Sequence, residues 1–358
     1  MKKLELYGLN PRFEAESTLY PDFVLGRVIS QYKDLYKVVT NEKELLAEIS
    51  GKFRHQTNYI SDYPAVGDFV MLDRINDENG NGIIHHVLTR KSSFERAAVG
   101  IKNETQIVAA NIDIIFICMS LNNDYNLRRL ERYLSIAWNS RATPVVILTK
   151  SDLCSILEEK LLEISKIAIG VDIIVTSNLE PESYEPLKKY LKYGITASFI
   201  GSSGVGKSTL INCLLGGNFL STNEIRKDDK GKHTTTRKDL ILLPDGGIVI
   251  DTPGMRQLGV DSVDLKKSFT DIDNLAKQCR FRNCTHTIEP GCAVKAAIDN
   301  ESLDEKRLNN YIKLKKEARY DGLTSKQIEH EKLNDMFSSF GGIKNAKRII
   351  KEKNKRKY

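Results

Sequence analysis

Short apolar runs separated by turn-forming residues dominate the N-terminal part of the chain. Runs of this kind occupy residues 23–30, 35–40, 44–49, 68–75 and 83–88. Polar segments rich in Gly, Asn and Asp separate them and favour turns between strands. Residues 1–20 show no such pattern, and we expect them to be irregular. Short strands so close together predict a small β-barrel. An OB-fold that binds oligonucleotides is the first option, and an SH3-like barrel that contacts proteins is the alternative.

From about residue 110 the pattern changes to apolar runs that alternate with helical stretches. The expected strands are 113–119, 144–149, 171–176, 196–200, 240–243 and 248–251, and the expected helices are 127–138, 156–169, 184–192 and 207–215. Such alternation predicts a mostly parallel sheet with helices on both faces. Beyond residue 262 the chain is expected to be helical around a cluster of Cys and His.

These patterns predict a multidomain α/β protein. The expected domains are an N-terminal region with the barrel at 1–90, a nucleotide-binding domain at 91–262 and a helical domain at 263–358. Hydrophobic residues make up 41% of the 358 residues, which is enough to build cores. The chain starts without an apolar signal region, and its longest apolar runs are far shorter than a membrane span. We therefore expect a cytoplasmic protein without a membrane partner. A monomer is the expected oligomeric state.

The net charge of +7 is concentrated at the C-terminus. Residues 344–358 hold eight Lys or Arg and one Glu, and the rest of the chain has 46 basic and 46 acidic residues. A basic tail suits a polyanionic partner, with nucleic acid as the first candidate. The alternative is a solvated tail without a partner.

A phosphate-binding loop is the clearest motif of the chain. Residues 201–208 fit G-x-x-x-x-G-K-S between an expected strand and an expected helix, the context that the motif requires. Glycines let backbone N–H groups surround the phosphates, the lysine contacts the β- and γ-phosphates, and the serine hydroxyl binds Mg²⁺. The candidate residues for nucleotide binding are Gly201, Ser202, Ser203, Gly204, Val205, Gly206, Lys207, Ser208 and Thr209, with Lys207 also a candidate for catalysis.

Guanine recognition is indicated by Thr149, Lys150 and Asp152. They fit the [N/T]KxD motif of GTPases, in which the carboxylate accepts from the ring N–H and the amine of guanine. Threonine replaces the commoner asparagine at the first position, and a hydroxyl forms fewer hydrogen bonds than an amide. Asp152 could instead be a simple helix cap. Ser177, also just after an expected strand, is a candidate for the contact to the guanine oxygen.

Two further segments complete a candidate GTPase site. Asp251 and Gly254 fit D-x-x-G, with Asp251 holding Mg²⁺ and Gly254 sensing the γ-phosphate. Residues 231–236 contain His233 and three threonines, of which Thr235 and Thr236 are candidates for nucleotide binding and Thr235 for Mg²⁺. These segments are expected to act as switches that order around the γ-phosphate.

Hydrolysis is expected to be slow without a partner. Met255 follows D-x-x-G, where many GTPases place a glutamine that orients water, and a thioether cannot do so. His233 and Gly254 are therefore the candidates for catalysis in the switch segments, although His233 could equally face solvent.

Cys279, Cys284, His286 and Cys292 form a cluster with the pattern C-x4-C-x-H-x5-C. Three thiolates and an imidazole complete a tetrahedral Zn²⁺ shell without an open position, which indicates a structural ion. Three reduced cysteines without a metal are the alternative.

The order of the motifs is unusual, because the guanine motif precedes the phosphate loop instead of following the D-x-x-G segment. A circular permutation accounts for this order if the original termini lay close together. With the sequences GKHTTT at 231–236 and DTPG at 251–254, the chain resembles the small ribosomal subunit biogenesis GTPases of the RsgA (YjeQ/YloQ) type. Residues 64–68, 90–96 and 106–113 also resemble that family.

The resemblance implies an N-terminal OB-fold, a circularly permuted P-loop GTPase domain and a C-terminal zinc domain. It also implies GTP hydrolysis in late maturation of the small (30S) ribosomal subunit, stimulated by the subunit and involving its rRNA, with GTP/GDP, Mg²⁺ and one Zn²⁺ bound. The residues alone do not exclude two other functions. One is an RNA-binding assembly factor that uses GTP only as a conformational ligand, and the other is an ATP-using P-loop enzyme.

Overall fold

The computed structural model describes residues 3–32, 35–76, 78, 80–97, 104–217, 238–251, 269–287, 289–319 and 327. The expectation that residues 1–20 are irregular is wrong, because they form helices α1 (Lys3–Leu6) and α2 (Pro11–Ser17). The Asn10 side chain accepts from the first backbone N–H groups of α2, and Pro11 suits the first helical position. Phe13 of α2 is buried against Phe69, with ring centroids 4.3 Å apart. Helices this short carry no periodicity that a sequence pattern could reveal.

The predicted barrel is confirmed as a closed ring of five strands. They are β1 (Val24–Gln31), β2 (Tyr36–Val39), β3 (Glu44–Ile49), β4 (Phe69–Leu72) and β5 (Gly82–Val87), and helix α3 (Gly51–Gln56) connects β3 to the segment before β4. β1 pairs with both β2 and β4, β2 pairs with β3, and β5 closes the ring between β3 and β4. The interior is filled by small apolar side chains such as Val28, Val38 and Ile84. A small five-stranded barrel of this kind agrees with the OB-fold option.

A hairpin follows the barrel. It consists of β6 (Ser93–Ala97) and β7 (Thr105–Ala110), which form a separate two-stranded sheet. Phe94 and Val108 are buried in the hydrophobic core of the following domain. The hairpin therefore packs on that domain.

The central sheet contains β8 (Ile114–Ser120), β9 (Thr143–Thr149), β10 (Asp172–Val175), β11 (Thr196–Gly201), β12 (Lys238–Leu242) and β13 (Ile248–Asp251). Their spatial order is β10-β9-β8-β11-β13-β12. Neighbouring strands are parallel except β12, which is antiparallel to β13. The alternation in the sequence predicted this mostly parallel arrangement.

Helices cover both faces of the sheet. Ile115 and Ile117 of β8 lie in one hydrophobic core with α4 (Leu127–Asn139) and α5 (Leu157–Ser165). Phe116 and Cys118 lie in a second core with α6 (Glu185–Lys188) and α7 (Lys207–Leu215). Successive residues of a strand point to opposite faces, so both faces of β8 are buried.

The barrel and the central sheet share a buried junction. β12 pairs with β1 of the barrel through Ser30–Asp239 and Gln31–Lys238. The Arg27 side chain is 1% exposed, and it donates to the Gly67 carbonyl at 3.1 Å and to the Thr196 hydroxyl at 3.0 Å. One guanidinium thus joins the barrel to the start of β11.

Helices α8 (Thr270–Ala276), α9 (Ala293–Asp299) and α10 (Glu305–Arg319) follow the sheet in sequence. Ile272, Val294 and Leu308 extend the hydrophobic core that contains α4. The helical character expected after residue 262 is confirmed for these helices, whereas the predicted boundary at 262 and the basic tail lie outside the described residues. In the part of the chain that the structure describes, no helix is both long and apolar enough to span a membrane.

Candidate functional site

The candidate nucleotide-binding segments gather at one edge of the central sheet. The guanine motif follows β9, Ser177 follows β10, the phosphate loop follows β11, and Asp251 ends β13. These strands are parallel, so their carboxyl ends lie at the same edge. Ligands of open α/β sheets bind at this edge. The fold therefore brings together segments that are far apart in the sequence.

Glycine is required at two positions of the phosphate loop. Gly201 has φ +151°, and a Cβ there would lie 2.5 Å from the carbonyl oxygen of Cys118. Gly206 has φ +105° and immediately precedes α7. L-residues rarely adopt these angles, so the sequence G-x-x-x-x-G fits the backbone. Between the two glycines, Ser203 and Gly204 are exposed, and Val205 is buried beneath the loop.

Lys207 begins α7, and its side chain returns over the loop. Its Nζ donates to the carbonyl oxygens of Gly201 at 2.8 Å and Ser202 at 2.6 Å. The ammonium is therefore positioned above the loop where the motif requires a cation. Ser208 and Thr209 follow in the first turn of α7 and are partly exposed. The N-terminus of α7, which is the positive end of its helix dipole, lies at the same place.

The guanine motif supports the phosphate loop directly. The Thr149 hydroxyl donates to the Val205 carbonyl at 2.6 Å, and Lys150 Nζ donates to the Gly204 carbonyl at 2.8 Å. Lys150 has a left-handed φ of 59°. The hydroxyl of Thr149 thus connects the two loops, even though it offers fewer hydrogen bonds than an asparagine amide.

Asp152 is exposed at the same edge, and Ser177 orients its carboxylate. The Ser177 hydroxyl donates to Asp152 Oδ1 at 2.8 Å. The Ser177 backbone N–H donates to the Ser183 hydroxyl at 3.0 Å. In this geometry Ser177 contributes its hydroxyl to the carboxylate, while its N–H is occupied by a protein acceptor.

Asp251 lies beside a second carboxylate. It is the cross-strand partner of Asp239 on β12. Burial raises the pKa of Asp251, the nearby Lys207 ammonium lowers it, and Asp239 raises it further; the net shift is upward. Asp251, close to the phosphate-loop lysine, and its neighbour Asp239 form a negative group suited to a divalent cation.

Sequence reasoning missed Asp124, which touches the phosphate loop. The Ser202 hydroxyl donates to Asp124 Oδ2, and Arg129 of α4 forms an ion pair with Asp124 at 2.8 Å. Asp124 follows β8, the remaining parallel strand that ends at this edge. Its only sequence signal is a polar run after an apolar strand, which any surface loop would share.

Six residues of the switch segments lie outside the described residues. They are His233, Thr234, Thr235, Thr236, Gly254 and Met255. Their proposed roles therefore rest on the sequence.

The four residues of the Cys/His cluster converge in space. Their ligand atoms all lie within 4.8 Å of one another. Cys279 Sγ and Cys292 Sγ are 3.8 Å apart, and His286 Nδ1 lies 3.7 and 3.5 Å from these sulfurs. Tetrahedral zinc, with bonds of about 2.3 Å to sulfur and 2.0 Å to nitrogen, would separate its ligands by about 3.5–3.8 Å. The distances among Cys279, His286 and Cys292 fit this ion.

The backbone around the cluster is fixed by Glu289. Its carboxylate accepts from the Thr285 N–H at 2.7 Å and from the Thr287 N–H at 3.0 Å. The Thr285 hydroxyl also donates to this carboxylate, and this bond, together with the backbone bonds, lowers the pKa of Glu289. The bonds hold the loop in which His286 has a left-handed φ of 62°. Cys292 is the N-cap of α9, and its sulfur accepts the Lys295 N–H at 3.4 Å. Such bonds around a metal site orient its ligands.

Comparisons with known proteins agree with this arrangement. Residues 87–261 match the model of the RsgA GTPase family. The chain is 47% identical to small ribosomal subunit biogenesis GTPase RsgA 2 of Lactiplantibacillus plantarum, with 96% of each protein covered. It is 44% identical to small ribosomal subunit biogenesis GTPase RsgA 1 of Listeria innocua, with 88% of this chain and 90% of that protein covered.

Solved structures show the same fold. The crystal structure of YjeQ from Thermotoga maritima matches with a TM-score of 0.60 at 29% identity, covering 83% of this chain and 98% of that one. YloQ, described as a circularly permuted GTPase, matches with a TM-score of 0.60 at 24% identity over 83% of this chain and 95% of its own. The resemblance inferred from the motifs and their permuted order is confirmed: the chain belongs to the RsgA GTPase family.

Proposed function

We propose that this chain hydrolyses GTP during late maturation of the small (30S) ribosomal subunit, and that the subunit stimulates hydrolysis. The relatives are named small ribosomal subunit biogenesis GTPases, and they match nearly the whole chain. One structural observation best supports GTP as the substrate: the guanine motif contacts the phosphate loop at the edge of the sheet. Family membership favours turnover over an assembly factor that uses GTP only as a conformational ligand.

Asp152 selects guanine in this proposal. Its carboxylate accepts from the ring N–H and the exocyclic amine, and Ser177 holds the carboxylate in position. The stem of Lys150 lies along the base while its ammonium stays on the Gly204 carbonyl. Adenine offers no matching pair of donors to a carboxylate, so the site discriminates against ATP.

The phosphate loop and its surroundings bind the triphosphate and Mg²⁺. Backbone N–H groups of residues 201–209 surround the phosphates, and Lys207 moves from the loop carbonyls to the β- and γ-phosphates. Ser208, Asp251 and Thr235 are the residues that would hold Mg²⁺, which neutralises phosphate charge. Asp239 adds negative charge beside Asp251.

Catalysis needs groups from the switch segments. Gly254 contacts the γ-phosphate through its N–H, and His233 is the residue of the chain proposed to act on the attacking water. Met255 cannot orient water, so turnover is slow until the subunit stimulates it.

The rest of the chain serves binding to the subunit. The Cys/His cluster holds one structural Zn²⁺, the barrel and the basic residues 344–358 contact rRNA, and the protein acts as a cytoplasmic monomer.

A base-specificity exchange tests the guanine assignment. Asp152→Asn replaces an acceptor by a donor, so it should weaken GTP binding at least about ten-fold. It should also favour xanthosine triphosphate, whose base carries a carbonyl in place of the amine. Asp172→Asn, an exposed aspartate on β10, is the matched control. An Asp152→Asn variant with an unchanged preference for GTP over the xanthine and adenine nucleotides would refute the assignment.

A further inference from the structure

A pocket of about 420 Å³ opens on the barrel between α3 and β5. Phe53, Gln56 and Thr57 line it from the side of α3, and His85 and His86 line it from β5. Its volume is within the range of small-ligand sites. The described lining residues include none from β2 or β3, the strands by which OB-folds bind oligonucleotides. They also include none of the candidate GTP-binding residues.

A β-bulge shapes this pocket. Met71 pairs with His86, and the next residue, Leu72, pairs with Ile84, so His85 is an extra residue in β5. In a regular strand, consecutive side chains point to opposite sides. The bulge lets two consecutive histidines line the same pocket, and bulges often redirect side chains next to functional sites.

Aromatic rings hold both imidazoles in place. The ring of Tyr20 stacks on His86 with centroids 4.2 Å apart and an interplanar angle of 26°. The ring of Phe23 lies 4.5 Å from that of His85 and 5.5 Å from that of His86. On the other side of the pocket, Phe53 is supported edge-on by Tyr63. Flat rings on two sides suit a planar heteroaromatic ligand, because such rings stack face to face.

The polar groups of the pocket match the edge of a nucleobase. The Gln56 amide can both donate and accept hydrogen bonds, and Asp62 offers carboxylate oxygens. Burial lowers the pKa of His86, and the neighbouring His85 and Lys52 lower it further. A neutral imidazole has one donor and one acceptor nitrogen, so His86 can also pair with a base edge.

A basic helix borders the pocket. Helix α3 has the sequence GKFRHQ, without an acidic residue. Lys52 and Arg54 are exposed on it. Arg90 lies in the pocket wall and is anchored by hydrogen bonds to Asp68 at 2.7 and 2.8 Å. Positive charge beside a stacking surface is the combination that binds single-stranded nucleic acid.

We propose that this pocket binds one unstacked base of a single-stranded RNA segment, with the adjoining phosphates on Lys52 and Arg54 of α3. The inference rests on the proposed function, because it requires an RNA partner. It adds a second RNA contact on the barrel, separate from the β2–β3 face.

Binding of a fluorescein-labelled single-stranded RNA of mixed sequence and about 12 nucleotides tests the proposal by fluorescence anisotropy with the full chain. The double variant His85→Ala/His86→Ala should raise Kd at least about ten-fold. His55→Ala, on the same basic helix but outside the pocket, is the matched control and should change Kd less than about two-fold. Equal effects of the two variants, or no effect of the double variant, would overturn the proposal. Unchanged GTP affinity of the double variant verifies that it is folded.

Histidine ring resonances give a second readout on the unmodified chain, which has only six histidines. The signals of His85 and His86, assigned from the single alanine variants, should shift with the RNA. They should shift far less with the four nucleoside monophosphates at the same concentration. Equal shifts would identify a mononucleotide site and reject the RNA segment as the occupant.

The two proposals fail in distinguishable ways. Suppose that the histidine signals do not move with RNA while purified small subunits still raise GTP turnover. The pocket proposal then fails and the proposed function stands. Absence of subunit-stimulated turnover counts against the proposed function, whatever the histidine signals do.

Discussion

Replacing Arg307 by leucine should uncouple the C-terminal helices from the GTPase domain. Arg307 of α10 is 7% exposed and donates to Asp271 at 2.8 and 3.0 Å. It also donates to Glu131 of α4, and its guanidinium lies 5.0 Å from the centroid of the Phe269 ring. One side chain therefore joins α10 to α8 and α4.

The stability lost in Arg307→Leu follows from the two carboxylates that no longer have a cationic partner. Arg307→Leu leaves Glu131, 4% exposed, close to Asp271 without their shared cation. Removing one partner of a buried ion pair costs about 3–5 kcal/mol. The Asp271 side chain is 29% exposed and can be solvated, so we expect the lower end, about 3 kcal/mol.

The loss of stability in Arg307→Leu should depend on pH. Burial already raises the pKa of Glu131, and Arg307 opposes this shift. Without Arg307, the pKa of Glu131 in the folded protein rises further above its value of about 4.3 in the unfolded chain. In the folded variant, Glu131 then keeps a proton that it releases when the chain unfolds. Its stability relative to the wild type should therefore fall as pH rises from about 5 to about 8.

Urea titration followed by the emission of the single tryptophan, Trp138 of α4, measures this effect. Lys306→Leu removes the same charge from an exposed neighbouring position and should change the free energy of unfolding by less than about 0.5 kcal/mol. Equal losses of stability in the two variants would contradict this role of Arg307. So would a stability deficit of Arg307→Leu that is the same at about pH 5 and about pH 8.

Three further outcomes follow from the site. Gly201→Ala should abolish GTP binding, measured by titration calorimetry, because its Cβ would lie 2.5 Å from a backbone carbonyl oxygen; detectable binding would contradict the geometry. Thr149→Val should weaken GTP binding about ten-fold, because the Val205 carbonyl loses its 2.6 Å hydrogen bond. An affinity within about two-fold of the wild type would mean that the two loops do not support each other. Glu289→Gln should lower zinc affinity about 10–100-fold in a chelator competition, whereas the exposed Glu301→Gln should not.

The sequence predicted those parts of the fold that local signals determine. Helix α7 and strand β13 have the predicted limits, because a motif or an apolar run marks each end. The five barrel strands were also recognised, since each is bounded by turn-forming residues. Helices α1 and α2 were missed because both are short: α1 buries only Leu4, and α2 depends on the Asn10 cap and on buried Phe13.

Features that depend on distant contacts were not predictable. The hairpin of β6 and β7 was not among the expected elements, because it depends on the pairing of its two strands with each other. Arg27 looks like any strand arginine in the sequence, but the fold buries it among the carbonyls of three separate segments. The bulge at His85 follows from the register between β4 and β5.

The candidate site was predictable to a similar extent. The phosphate loop and the Cys/His cluster carry fixed spacings that reflect their chemistry, so the sequence alone identifies their residues. Asp124 and Asp239 have no motif, and only the pairing of strands and loops places them near Ser202 and Asp251.

The most direct test of the account is GTP turnover by the full chain with and without purified small ribosomal subunits, with large subunits as the control. Groups supplied by a partner to a GTPase site can raise turnover by about 10³–10⁵. The account predicts slow turnover alone, a rise of at least about ten-fold with small subunits, and no rise with large subunits. Turnover that is unchanged by small subunits, or raised equally by both, would contradict it.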